Sequence, residues 1–466
     1  MKRFVAMLTN LVVLTSPGLG ATNEIQLDMQ VISAGEVALK WMGLAGTYGY
    51  AAKATASLDD TWRYVPPVDL WPIAGTGCTV TVDADAGFMR VVAANRGRLI
   101  SSYKLIGSMS AAAIRQMERS IFKIEPTAIY DVSIYQLIYE TFDHRGISTL
   151  ALGAVAVPTG PGLLLSGPLV SYQHGTLFKK VESPSNTDSG DHSIGYLMAG
   201  DGYIVSMPDY VGLGEGALGL HPYVHARSEA VASVDLLRAV KTFLFNNQMI
   251  QPNGQCFIFG YSQGGHATMA LQREIELHHA TEFPLTASAP MAGPYDLSNT
   301  MADSMIQPVQ YSGREYVPYL LFAYDAIYDL YESVSDVLVS PYDITLLSLF
   351  DGTHSGNEID AAMPRIPREI FQPAWINDFT TNSLNSLRSA LEANDLYRDW
   401  VPETPTRLYH CSGDEIVPFQ NAVVAQSNFV ARGAASVQLV DMGSYTHSRG
   451  FFPCIIAAKQ WLDSLR

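Results

Sequence analysis

The sequence predicts an α/β fold built on a mostly parallel, doubly wound sheet of eight strands. Three observations support this prediction. Two β-rich runs open the pattern, strand-like and helix-like runs then alternate along the chain, and a GxSxG motif directly follows one strand-like run. With 466 residues, 48% of them hydrophobic, the chain can bury a large core and still has room for an insert or an extra module.

The N-terminus has the form of an export signal. The charged start Met1-Lys2-Arg3 is followed by an apolar stretch over residues 4–14, and Gly20 and Ala21 are small enough for cleavage nearby. The stretch is too short for a membrane span. We therefore predict a signal peptide over 1–21 and a soluble mature protein that is secreted or periplasmic, with no integral membrane span.

Residues 22–127 are predicted to form an N-terminal extension packed on the core. A helix is expected over 110–122, with Ser110 as its cap. We find no residues in the extension that indicate chemistry.

The core begins at residue 128 with β-rich runs over 132–139 and 150–157, which a polar turn joins into a predicted antiparallel hairpin. Strand three precedes His174, and strand four covers 203–207. A helix over 226–245 then crosses over to strand five, and strand six ends near residue 290. This order of strands and crossover helices predicts the doubly wound sheet.

Ser262 is the candidate nucleophile. It lies in Gly260-Tyr261-Ser262-Gln263-Gly264-Gly265, between the apolar run 256–259 and a proline-free segment of helix formers. A serine on such a sharp strand-to-helix turn needs small neighbours, because the backbone there is strained and closely approached. The alternative, a glycine-rich surface turn, does not account for the strand and helix on either side.

A serine hydroxyl needs a base, and the base needs a group that orients it. Asp414 follows a strand-like run over 406–412 and is the candidate acid, with Glu415 as a close alternative. His447 is the only histidine after Asp414 and is the candidate base. His410 has a weaker case, since it precedes the acid and falls inside the predicted strand.

The oxyanion that forms during such an attack needs two backbone N–H donors. One is expected from Gln263, the residue after the candidate nucleophile. The other is expected from the turn after strand three, at Thr176 or, nearly as well supported, at Gly175. We interpret His174 as a structural residue that shapes this turn.

With these residues the chain resembles the α/β-hydrolase superfamily, and within it the secretory lipase group related to fungal lipase A and similar bacterial secreted esterases. The resemblance depends on segments 172–176 and 202–214, on the GxSxG turn and on Gly413-Asp414-Glu415-Ile416-Val417-Pro418, and it covers residues 128–466. It implies hydrolysis of carboxylic esters through an acyl-enzyme, with no metal or other cofactor, and a helical cap inserted after strand six.

That resemblance, together with the loss of strand–helix alternation, divides the core into a first part over 128–296, a cap over 297–402 and a second part over 403–466. We expect the cap, rich in tyrosine and leucine, to lie over the nucleophile and to select an apolar acyl group. Its tyrosine stripe, at Tyr324, Ile327, Tyr328 and Tyr331, is more typical of helix packing than of a ligand site. Transient contact of the cap with a lipid interface is compatible with this arrangement.

The expected partner is a small-molecule or lipid ester. A net charge of −16 disfavours nucleic acid and strongly anionic substrates, because like charges repel. Two alternative functions stay open: a serine exopeptidase or amidase with the same triad, and a non-catalytic binding protein with the same fold. The acyl and alcohol specificity, the choice between lipase and esterase, and the oligomeric state are left open.

Four cysteines allow three pairings. Cys256 and Cys411 are assigned to strands that another strand separates, so we do not expect them to be bonded. The pairing we would predict, if an exported chain forms a disulfide, is Cys78 with Cys454.

Overall fold

The arrangement of the chain comes from a computed structural model. The structure describes residues 96–466 and, before them, six strand segments between residues 27 and 94. The predicted signal peptide lies outside the described residues. The chain forms two compact units, one of residues 1–98 and 140–150 and the other of residues 99–139 and 151–466.

The first unit contains two small antiparallel sheets. The strand orders are β1-β2-β5 and β4-β3-β6. Their bounds are Leu27–Ser33 (β1), Glu36–Trp41 (β2), Gly49–Thr55 (β3), Arg63–Tyr64 (β4), Gly77–Thr81 (β5) and Phe88–Ala94 (β6).

The second unit is built on a larger sheet, which has nine strands among the described residues, in the order β15-β14-β13-β12-β10-β11-β9-β8-β7. The strands are Leu99–Met109 (β7), Asp131–Phe142 (β8), Ser148–Thr159 (β9), Ser166–Gln173 (β10), Ile204–Pro208 (β11), Gln251–Tyr261 (β12), Leu285–Met291 (β13), Thr406–His410 (β14) and Val437–Asp441 (β15). Six neighbouring strands pair in parallel, namely β15, β14, β13, β12, β10 and β11. By contrast, β9 pairs antiparallel with β11, and β7 pairs antiparallel with β8.

The predicted fold class is confirmed, but the sheet has one strand more than the eight predicted. The additional strand is β7, whose residues we had assigned to the N-terminal extension. β7 lies at the edge of the sheet, and its Lys104 and Leu105 are exposed. Because an edge strand can be half solvated, it lacks the continuous apolar run that marks the inner strands.

Helices cover both faces of the sheet. The longer ones, in chain order, are Ala111–Met117, His192–Ala199, Ala226–Asn246, Gln263–Glu274, Tyr316–Tyr328, Pro373–Thr381, Ser386–Glu392, Gln420–Ala431 and His447–Asp463. Shorter α-helices are Ala302–Ile306, Val334–Val337, Tyr342–Thr345 and Gly356–Ala361. Single π turns are Glu118–Phe122, Ile275–His279 and Leu297–Met301, and 3₁₀ turns are Lys180–Glu182, Leu347–Leu349 and Pro367–Ile370.

The core consists of two layers, because successive side chains of a strand point to opposite faces. Along β12, Phe257 and Phe259 pack with the layer that includes helix His447–Asp463, and Ile258 packs with the layer that includes helix Ala226–Asn246. Burial on both faces explains why β12 appears as a continuous apolar run in the sequence. In the strand order, β12 lies near the middle of the sheet, between β13 and β10.

Between β13 and β14 the structure contains the short helices of the predicted cap and no strand among the described residues. This segment has its own hydrophobic cluster, which includes Leu320, Phe322 and Tyr324. Tyr324 is fully buried and its hydroxyl donates to the carbonyl oxygen of Val224. The tyrosine stripe therefore serves packing, as interpreted from the sequence.

Candidate active site

Ser262 lies on a sharp turn between β12 and helix Gln263–Glu274, as the sequence predicted. Its backbone angles are φ 63° and ψ −124°, a region that a residue with a side chain rarely adopts. Such a conformation is unfavourable by about 1–3 kcal/mol and persists only where the surrounding structure imposes it. Here the turn is fixed from the β13 side, because the N–H of Ser262 donates to the carbonyl oxygen of Met291 at 2.9 Å.

The glycines that flank Ser262 are required by close backbone contacts. A Cβ on Gly264 would overlap the carbonyl oxygen of Gln173, and one on Gly265 would overlap that of Met291. Both obstacles are main-chain atoms of neighbouring strands, so they cannot move aside without disturbing the sheet. The elbow motif thus reflects how tightly the nucleophile turn is packed into the sheet.

Ser262, His447 and Asp414 form one hydrogen-bonded chain. His447 Nε2 lies 2.8 Å from Ser262 Oγ, and His447 Nδ1 lies 2.7 Å from Asp414 Oδ2. Asp414 follows β14, and His447 begins the last helix. Tertiary structure thus brings His447 beside Ser262, from which it is 185 positions away in the sequence. Because an ionised carboxylate only accepts, His447 carries its proton on Nδ1 and leaves Nε2 free to accept one from the serine.

The environment of Asp414 favours its ionised form. Burial alone would raise its pKa, but hydrogen bonds from His410 and His447 lower the pKa to about 2. The backbone N–H groups of Ile416 and Val417 also donate to its Oδ1, at 3.1 and 2.8 Å. Asp414 is therefore a fixed negative charge beside the imidazole.

The structure distinguishes Asp414 from Glu415. Glu415 Oε2 accepts from the backbone N–H of His447 at 3.0 Å and does not take the place of Asp414 at the ring. The two neighbouring acids thus contact the same histidine in different ways, one at the side chain and one at the main chain.

Two further side chains support this chain of bonds, and sequence reasoning did not assign them. The hydroxyl of Tyr261 donates to the carbonyl oxygen of His447 at 2.6 Å. His410 Nε2 lies 2.8 Å from the carbonyl oxygen of Val417 and 3.3 Å from Asp414 Oδ2. The spacing of His410 four residues before the acid, at the end of a strand, was the available signal for its position.

The turn that was predicted to supply the second oxyanion donor lies beside the serine. An ideal Cβ on Gly175 would be 3.9 Å from Ser262 Cβ, and Thr176 Oγ1 is 2.9 Å from the hydroxyl of Tyr223. His174 is buried, with its ring nitrogens facing the carbonyl oxygens of Gly175 and Asp209. His174 shapes the turn, which agrees with the interpretation of it as a structural residue.

Asp209 is a buried carboxylate behind this turn, and it should make folding pH-dependent. Burial raises its pKa from 3.8 to about 6, against the hydrogen bonds that it accepts from Ser185. Between these two values the folded chain binds more protons than the unfolded one, so the free energy of unfolding falls as pH rises. We expect this contribution to decrease by about 2 kcal/mol between pH 4.5 and 7.5.

The measurement is urea unfolding of the wild type and of Asp209→Asn across that pH range. The asparagine variant should lack the contribution, so the difference in stability between the two proteins should change by that amount. A difference that stays constant from pH 4.5 to 7.5 would show that Asp209 does not titrate there.

A narrow apolar pocket opens beside Ser262. Its cavity volume is about 20 Å³, which is close to the space needed by one water molecule. Residues between β13 and β14 supply much of its wall. The lining consists of Tyr223, Val224, Ser262, Gln263, Pro294, Leu297, Met301, Met305, Tyr311, Tyr316, Leu320, Ile416 and Val417.

The cysteine prediction is corrected by the structure. Cys256, Cys411 and Cys454 are free and buried, while the side chain of Cys78 lies outside the described residues. The thiol of Cys454 forms a hydrogen bond with that of Cys411. Helix His447–Asp463 directs Cys454 toward the end of β14, where Cys454 is free, in contrast to the pairing that was predicted for it.

Comparison with known proteins gives a consistent family. Residues 183–465 match the sequence profile of the family described as secretory lipase. The rice cell wall degrading esterase LipA from Xanthomonas oryzae is 31% identical, with 80% of this chain and 100% of that chain covered at a TM-score of 0.72. Among curated protein sequences, none matches the chain.

Lipase A from Candida antarctica, in its closed state, shares the fold. It is 18% identical, with 80% of this chain and 83% of that chain covered at a TM-score of 0.57. Within the described residues, no helix has both the length and the apolar character that a membrane crossing requires.

Proposed function

The chain belongs to the secretory lipase family, and from that premise we propose that it is a serine esterase that cleaves carboxylic esters through an acyl-enzyme on Ser262. It acts on esters, as its family and its esterase neighbours indicate. The observation that carries the serine mechanism is the hydrogen-bonded chain from Ser262 through His447 to Asp414.

In the proposed mechanism, Ser262 Oγ attacks the ester carbonyl while His447 Nε2 takes its proton. Asp414 holds the imidazole by its Nδ1–H and stabilises the positive charge that the ring acquires. The ring then protonates the leaving alcohol, and a water molecule that it activates releases the acid.

The oxyanion is held by the backbone N–H of Gln263 and by a second donor in the His174–Thr176 turn, for which we propose Thr176. The N–H of Gln263 is suited to this role, since the first N–H groups of a helix have no acceptor within it. The positive end of the helix dipole adds to the stabilisation.

We further propose that the segment 297–402 is a cap that selects short acyl groups. Its Leu297, Met301, Met305 and Leu320 line the pocket beside Ser262, which supports selection of an apolar acyl group. The cavity has room for about one water molecule, so it favours the smallest acyl groups, and longer chains require the methionines to change rotamer.

Replacing Met305 with alanine should shift the preference toward longer acyl chains. The truncation opens space in the pocket wall, so the ratio of kcat/KM for the octanoyl ester to that for the acetyl ester should rise on the order of tenfold. The ratio is measured with p-nitrophenyl esters.

Met363→Ala is the matched control, because Met363 is buried in the same segment but does not line the pocket. The two variants should therefore differ in selectivity. An unchanged ratio in Met305→Ala would contradict the assignment of this pocket to the acyl group.

The proposed function is tested by labelling with a fluorophosphonate probe, followed by a panel of p-nitrophenyl esters and aminoacyl anilides. Labelling at Ser262 with turnover of esters is the expected result. Turnover of anilides in preference to esters would favour the exopeptidase alternative, and the absence of both labelling and turnover would favour the binding protein.

We also propose that residues 1–21 direct export and that the mature protein begins with the residues assigned to the extension, of which Leu99–Met109 form β7 of the sheet. The family, described as secretory, supports export. N-terminal sequencing of the protein from the culture medium and from the periplasm would locate both the cleavage site and the compartment.

A further inference from the structure

A set of buried polar side chains lies directly beneath the candidate nucleophile, and the mechanism above does not use it. Its centre is Glu229, in the first turn of helix Ala226–Asn246 and fully buried. One carboxylate oxygen accepts from Gln263 Nε2 at 2.9 Å, and the other lies 2.7 Å from His266 Nδ1. Gln263 and His266 are three residues apart, so one carboxylate holds the whole first turn of the nucleophile helix.

The side chain of Gln263 is oriented by the two hydrogen bonds that it donates. Its Nε2 also lies 2.8 Å from His221 Nε2. His221 Nδ1 faces the carbonyl oxygen of Val211, so the ring proton lies on Nδ1 and Nε2 accepts. Burial lowers the pKa of His221 to about 3, which keeps the ring neutral. Among the described residues, the buried Oε1 of Gln263 has no partner.

His266 can balance the charge of Glu229. Its Nδ1 faces the carboxylate, and its Nε2 lies 3.3 Å from the carbonyl oxygen of Asn394. Both neighbours are acceptors, and only a doubly protonated ring donates to both. A buried carboxylate is unfavourable unless it is paired in this way. The pairing of Glu229 with His266 also matters for the reaction. An unpaired negative charge on Glu229 would disfavour the negative charge that develops on the oxyanion.

We propose that Glu229 is a positioning residue, which holds Gln263 so that its backbone N–H points at the oxyanion, and that His266 cancels the charge of Glu229. This inference rests on the proposed function, because the oxyanion exists only when Ser262 attacks an ester. A donor that acts on the oxyanion and not on the bound ester changes kcat and leaves KM nearly constant.

Three variants test the positioning role. Glu229→Ala should lower kcat for the acetyl ester about 100-fold with little change in KM, as expected for a misplaced oxyanion donor. Glu229→Gln should recover most of this loss, because its amide can still accept from Gln263 and donate to a neutral His266. Asp235→Asn removes another buried carboxylate from the same helix, paired with Arg238, and should lower the unfolding temperature without changing kcat.

A second comparison tests charge balance. His266→Gln leaves the carboxylate uncompensated, so its kcat should be lower than that of the double variant Glu229→Gln with His266→Gln. This comparison also tests the proposal if Glu229→Ala does not fold. The single variant His266→Gln and the double variant both keep polar side chains of similar size.

The outcomes separate this inference from the proposed function. Wild-type protein that neither hydrolyses esters nor reacts with the fluorophosphonate probe would end the proposed function itself. An active wild type whose kcat is unchanged in Glu229→Ala, or a double variant no faster than His266→Gln, would overturn only the role of Glu229 and its partner.

Discussion

Ser262→Ala is expected to lower kcat for ester hydrolysis by about 10⁶-fold, the loss seen when the nucleophile of a serine hydrolase is removed. The substitution deletes the atom that His447 Nε2 contacts at 2.8 Å and leaves the strained turn in place. The measurement is the steady-state rate on a p-nitrophenyl ester, with circular dichroism to confirm that the fold is retained.

The matched control is Ser120→Ala, at an exposed serine outside the pocket beside Ser262. It should keep the wild-type rate and the reaction with a fluorophosphonate probe, whereas Ser262→Ala should lose both. Ester hydrolysis retained by a folded Ser262→Ala protein would refute the assignment of the nucleophile.

Asp414→Asn is expected to lower kcat by about 10⁴-fold with little change in KM. A carboxamide at this position can donate to His447 Nδ1, which favours the tautomer with its proton on Nε2, and that tautomer cannot accept the proton of the serine. Since the pKa of Asp414 is lowered to about 2, the wild-type carboxylate stays ionised and no loss of activity above pH 4 should come from its protonation.

Glu415→Gln is the control for this substitution, because it changes the neighbouring acid by the same single group. Its amide oxygen can still accept from the backbone N–H of His447, which Glu415 contacts at 3.0 Å, so the loss should stay below about tenfold. Equal losses in the two variants, or a larger loss in Glu415→Gln, would contradict the assignment of Asp414 as the acid.

Local sequence predicted the elements that carry the site. The run before Ser262, its glycines and the helix formers after it each specify a local conformation, and together they predicted the strand, the turn and the helix that the structure contains. The same holds for the long crossover helix, predicted over 226–245 and found at Ala226–Asn246. Such elements are determined by nearby residues, so short windows of sequence suffice to identify them.

Features that depend on residues distant in the sequence were harder to predict. The edge strand β7 was missed because its exposed face interrupts the apolar pattern. The partner of Cys454 was missed because the thiol of Cys411 comes from a different element. Tyr261 and Glu229 carry no distinguishing motif, and their positions follow only from the packing of separate strands and helices around Ser262 and His447. For His410 the only signal was its spacing of four residues before the acid.

The sequence by itself thus determined the fold class, the family and the order in which serine, acid and histidine follow one another. Only the tertiary structure decided that Asp414 and not Glu415 contacts the His447 ring, that the pocket beside Ser262 is narrow, and that Glu229 lies beneath Gln263. The physical reason is that hydrogen bonds require atoms within about 3 Å. Spacing along the chain does not specify such distances between residues of different elements.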